Sequence, residues 1–291
     1  MPTHPLAEVF GYPITNKDEE ALQHQINRIC PFGNRVPNCT KDKQNDPLGV
    51  CSVYDGDNVT ITCPIRFRQN WMITAHAASF FFPPETKWTS LTEIRLNDKK
   101  DRSAGNIDVV LVAYDDQGKV TDFGSLEVQA VYISGNIRKP FERFMQDKSI
   151  TDLDWRRERN YPRPDYLSSS RKRLAPQMIF KGGILKEWGK KQAVVVDQRF
   201  FSTLPQMAEV DKSQADIAWL IYDLILNAEK NVYELKLIRT VYTEFKASLD
   251  KITTSEAGPI NRFIESIQEK LEDKLNDNPP DAPTLTDIVL S

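Results

Sequence analysis

Residues Ser125 to Asn136 alternate in character. Leu126, Val128, Ala130 and Tyr132 fall on one side of an extended chain, and Glu127, Gln129, Val131 and Ile133 on the other. This period of two predicts a strand over 124–133. Upstream, Ile107 to Tyr114 is a β-branched run, and Asp115-Asp116-Gln117-Gly118 between the two has turn chemistry. The pair therefore reads as an antiparallel hairpin. Its second strand sets a carboxylate beside an amide on a face that is otherwise apolar. A satisfied surface edge and a metal-dependent active site both fit that pattern.

Elsewhere the periodicity is helical. Residues 14–29 carry an apolar stripe of Leu22, Ile26 and Ile29, with Thr15 or Asn16 as cap. Residues 87–98 read as a helix capped near Thr89 or Ser90, and 213–227, 230–250 and 258–275 read as helices. Residues 65–82 fit strand or helix until Pro83-Pro84 ends them. Short strands are expected at Val59–Thr62 and Gln192–Asp197. Residues 137–192 read as loops and short elements, and the tail NDNPPDAPTLTDIVLS as an extended arm. Strands mixed with flanking helices place the chain in the α/β or α+β class. The divisions expected are 1–70, 71–200 and 201–291, the last a helical region.

Composition changes this picture little. The chain has 291 residues, 40% hydrophobic and 27% charged, with net charge −3. That is the profile of a globular protein with a core. No apolar run reaches membrane-spanning length, and the N-terminus lacks a signal-peptide pattern, so a cytoplasmic location is expected. Charge is uneven. Residues 134–200 hold 16 Lys and Arg against 8 Asp and Glu, while 201–291 hold 9 against 16. The middle segment suits a polyanion or a solvated loop.

Two constellations carry chemistry. The first is Glu93, Asp108, Glu127 and Gln129. Carboxylates at neighbouring strand positions can converge on a hard cation such as Mg²⁺, which takes one or two of them and leaves the rest to water and phosphate. The second is cysteine: Cys30, Cys39, Cys51 and Cys63 are all four in the chain. Without export, clustered thiols suggest a structural tetrathiolate for zinc or iron. Their spacing lacks compact CxxC pairs, so free thiols stay open.

Asp108 followed by Glu127-Val-Gln129 resembles the PD-(D/E)xK nuclease motif, with Asn106-Ile107 where that pattern has its Pro and Gln129 where it has Lys. Together with the four cysteines, LTEIR around Glu93, GNIDVVLVAY around Asp108 and LEVQAVYISGN around Glu127 resemble the NotI family of type II restriction endonucleases. The resemblance implies a restriction-endonuclease-like core, a mixed sheet flanked by helices, behind an N-terminal four-cysteine lobe. It implies Mg²⁺-dependent cleavage of double-stranded DNA at a GC-rich palindrome by a homodimer. Asp108 and Glu127 would be metal ligands, Gln129 would orient water, and Glu93 would act as an outer or second-metal carboxylate. The cysteines would hold iron, which the sequence does not separate from zinc. A cognate DNA methyltransferase is the implied partner.

A GC-rich target predicts Arg on guanine edges. Arg156, Arg157, Arg159, Arg163, Arg171 and Arg173 are candidates, with Lys172 on phosphate, and Arg35, Arg66 and Arg68 lie near the cysteines. His4, His24 and His76 read as structural, and Trp71 and Trp88 as core. The rival readings are a non-enzymatic zinc-binding DNA-binding or regulatory protein, and another PD-(D/E)xK repair nuclease.

Overall fold

The computed structural model describes residues 2–33, 38–43, 45–149, 151, 154–255 and 257–275. Arg35 and the tail from Asn276 lie outside them. The chain divides into two units, Met1–Thr253 and Thr254–Ser291. Within the second, Ile260–Leu275 forms a helix as its periodicity predicts.

The first unit contains two sheets of four or more strands. A small one orders β2-β1-β3-β4, with β1 Leu6–Val9, β2 Tyr12–Pro13, β3 Val50–Asp55 and β4 Asn58–Ile61. The large one holds β5 Trp88–Asn97, β6 Ser103–Tyr114, β7 Val120–Gln129, β8 Gln192–Asp197, β9 Ile217–Asn227 and β10 Val232–Thr243. Its order is β10-β9-β8-β7-β6-β5. β7, β8 and β9 run parallel, and the outer pairings are antiparallel. This is a mixed α+β fold with the sheet between helices, as the sequence predicts.

Alternation along the strands builds the two layers. Leu126, Ala193, Val195, Ala218 and Leu220 pack with the Met72–Phe81 helix on one face. Val194, Val196, Trp219 and Ile221 pack on the other, against Leu174, Met178 and Phe245. The Phe81 ring approaches Gly124 so closely that a Cβ there would meet it at 2.5 Å, which makes glycine a requirement at that point of β7. The ambiguous 65–82 resolves as a 3₁₀ segment Pro64–Trp71 followed by this helix.

Three helix expectations are corrected. Residues 87–98 form β5, and 213–227 and 230–250 contain β9 and β10. Ile217 to Leu224 is buried on both faces, and such a run has no period that separates strand from helix. Thr89, Thr92 and Ile94 favour the strand that pairing with β6 completes. Residues 166–187 are a continuous helical run rather than loops. It carries π-helical turns at Ser170–Leu174 and Met178–Gly182.

His4 is structural, as expected. It is 2% exposed, lies edge-on to Trp155, and its Nδ1 accepts the Leu6 N–H at 3.2 Å. Burial holds its pKa down to about 4. Between that value and the ordinary 6.5, the unfolded chain binds more protons than the native one. Stability therefore declines as pH falls through this window, by about 3 kcal/mol in full. The melting midpoint of wild type is expected to drop more steeply from pH 6.5 to 4 than that of His4→Gln. Equal slopes would remove His4 as the cause.

Candidate active site

Strand register assembles the carboxylates. Val109 pairs with Leu126 and Val110 with Ser125, so one step back along β6 sets Asp108 beside Glu127. Thr92 pairs with Val109 and Ile94 with Ile107, which sets Glu93 beside Asp108. The three stand abreast on adjacent strands, where spacing is about 5 Å. Glu93 lies on an exposed strand at a sheet edge, not on a helix, at φ 57°. A non-glycine residue held there costs of order 1 kcal/mol, and such strain gathers at functional sites.

Asp108 is half-buried, and its Oδ2 accepts the Val128 N–H at 2.8 Å. This bond ties the first carboxylate to the backbone of the second carboxylate's strand. Glu127 is 1% exposed. Its Oε2 accepts from Lys181 Nζ at 2.6 Å, while the buried Oε1 has no partner. Burial first, then the Asp108 charge, push the Glu127 carboxyl up to about 8, against the pull of the Lys181 ammonium. Gln129 is buried two residues on, and its amide donates to Gln177 Oε1.

Two adjacent carboxylates, one with an orphaned buried oxygen, match the donor set that Mg²⁺ takes from a protein. Among the described residues no three His, Cys, Asp or Glu side chains gather closely enough to hold a metal. Glu93 therefore stands outside the inner pair.

Sequence reasoning missed Lys181 and Gln177. They lie four residues apart on one face of the 166–187 run and reach Glu127 and Gln129, two apart on β7. The only signal was a lysine set between apolar Met178-Ile179-Phe180 and Gly182-Gly183-Ile184-Leu185.

The four cysteines are free thiols that line one cavity of about 1400 Å³. Cys51 lies on β3 and Cys63 just after β4, and the Thr62 and Cys63 N–H groups both donate to Cys51 O. Burial pushes the Cys39 thiol up to about 11 and raises Cys30 and Cys51, with Cys63 adding repulsion to each. The thiols are thus electrostatic neighbours, but they are not gathered into a metal-holding group.

The same cavity runs past Leu91, Thr92 and Ile94 of β5 to Arg68 and Arg173. Arg173 is exposed and packs over Tyr132, and Arg157, Arg159, Arg163, Arg171 and Lys172 are exposed. Arg156 is exposed and bridges to Asp154 at 2.7 Å. Arg66 is corrected. It is fully buried against Glu8 and is not available to DNA.

No curated protein matches this sequence. The family model described as restriction endonuclease NotI matches residues 8–235. That span takes in the four cysteines and the carboxylate row, and the chain belongs to the NotI restriction endonuclease family.

Proposed function

We propose that this protein is a type II restriction endonuclease that hydrolyses double-stranded DNA with Mg²⁺ held by Asp108 and Glu127. The observation that carries this reading is the adjacent carboxylate pair, with Glu127 Oε1 buried and unpartnered. Family membership makes DNA the substrate and site-specific phosphodiester cleavage the reaction. When bound, Mg²⁺ polarises the phosphoryl oxygen and makes a bound water more acidic.

The chain's own groups do the rest. Asp108 is fixed by the Val128 amide and so presents a constant ligand position. Gln129, held by Gln177, orients water from the neighbouring strand position. Glu93 serves as an outer carboxylate. A water oxygen bonds to phosphorus, a phosphorus–oxygen ester bond breaks, one proton leaves the water, and one is taken up by the leaving oxygen. The cut yields one phosphate end and one hydroxyl end.

The cavity between the cysteine lobe and β5 is larger than a typical small-molecule site, and arginines line it. It suits a polyanion, with arginine reading guanine edges of a GC-rich site. A palindromic target pairs with two-fold protein symmetry, so the active form is a homodimer. A structural iron or zinc centre on Cys30, Cys39, Cys51 and Cys63 is part of the proposal, from their place on one cavity, although the thiols as they stand are not gathered into a metal-holding group. A DNA methyltransferase of the same specificity is the expected partner.

Purified protein is expected to cut plasmid DNA on addition of Mg²⁺ and to stop on addition of EDTA. Cutting that persists in EDTA would rule out the assigned role of Asp108 and Glu127.

A further inference from the structure

The strand position of Gln129 has no charge to offer, and its amide is engaged by Gln177. A charge enters the same site from the opposite layer. Lys181 is 4% exposed, and its ammonium lies 2.6 Å from Glu127 Oε2 and 2.8 Å from Asn106 O. An ammonium has three N–H donors. Among the described residues these two acceptors are its hydrogen-bond partners, which leaves one N–H uncommitted.

The backbone is shaped for this reach. Lys181 sits in the π-helical turn Met178–Gly182, and such turns recur at functional sites because they re-aim side chains. Gly182 lets this run pack closely, since a Cβ there would meet the Phe245 ring of the Phe245–Thr253 helix at 2.5 Å and Gln192 Oε1 of β8 at 3.1 Å. Gly105, beside the Asn106 carbonyl, lies under the lysine stem. A buried lysine is costly unless its charge is needed. Here the stem is threaded to one of a pair of carboxylates on neighbouring strands.

We propose that Lys181 is a catalytic residue of this nuclease, its free N–H contacting the attacking water or the scissile phosphate. It supplies from the helix the charge that Gln129 does not supply from the strand. In this role Lys181 donates a hydrogen bond and is not the base, so the proton balance of the hydrolysis stated above is unchanged. This assignment rests on the nuclease reading.

The test compares full-length wild type, Lys181→Met, Lys181→Arg and Asp108→Asn. Single-turnover plasmid cleavage is followed as Mg²⁺ is titrated, with DNA binding measured in Ca²⁺. Loss of a preorganised donor predicts a Lys181→Met rate about 10²- to 10³-fold lower at saturating Mg²⁺, with DNA binding retained. A counter-charge role would move only the Mg²⁺ midpoint. A Met variant within about threefold of wild type at saturation would therefore overturn the assignment while leaving the nuclease reading intact. Should the Met variant fail to fold, the Arg variant decides. It keeps the ion pair but displaces the donor, so at least about a tenfold loss at saturation is expected, and a wild-type rate overturns the assignment. Wild type that cuts no DNA overturns both readings.

Discussion

Asp108→Asn is expected to lower cleavage at least about a thousandfold while DNA binding stays within a few-fold of wild type. The size follows from losing a metal ligand, which is worth several kcal/mol of transition-state charge stabilisation at about 1.4 kcal/mol per decade. The choice of residue matters. Asparagine keeps an oxygen that can still accept the Val128 N–H, now made at 2.8 Å, so the strand pairing survives. Glu127→Gln loses activity too but is a less clean probe. It leaves the buried Lys181 ammonium without its carboxylate, and that costs stability. Mobility shifts in Ca²⁺ and single-turnover rates in Mg²⁺ separate the two quantities. A non-enzymatic DNA-binding protein would show no cleavage to lose, and Asp108→Asn would then be indistinguishable from wild type.

The second large effect is on stability. Arg66→Met is expected to destabilise the fold by about 3–5 kcal/mol, the usual cost of stranding one partner of a buried ion pair. Arg66 Nε lies 3.0 Å from both Glu8 oxygens. Its other nitrogens reach Gln69 Oε1 and Tyr233 O, both at 2.7 Å, and its guanidinium lies 4.3 Å above the Phe32 ring. Glu8 in turn accepts from Ser52 at 2.8 Å. One side chain thus ties β1 and β3 of the small sheet to β10 of the large one. Lysine has a single nitrogen and cannot make these contacts, so Arg66→Lys is expected to fail in the same way. Chemical denaturation of both variants measures the effect. A change below about 1 kcal/mol would mean that the two sheets are held together by other contacts.

The hairpin that carries Asp108 and Glu127 was legible because its signals are local. The turn at 115–118 lies between two β-branched runs, and Glu127-Val128-Gln129 interrupts an apolar face within three residues. The same reasoning failed at β5, β9 and β10 for a physical reason. Residues buried on both faces, or paired at an edge, lose the alternation that identifies a strand. Glu93 was picked out on the wrong element, and register then set it beside Asp108. Lys181 was not legible. Its role depends on a helix crossing the sheet 54 residues beyond Glu127, and nothing local marks it. Arg66 was misread for the complementary reason. A sequence shows an arginine near cysteines, while only the fold shows the glutamate that neutralises it.

The most direct measurement is digestion of a large GC-rich DNA by the purified protein in Mg²⁺, followed by sequencing of the ends. The account predicts a discrete band pattern whose ends share one palindromic GC-rich sequence. A smear with unrelated ends, or intact DNA under all divalent cations, would contradict it.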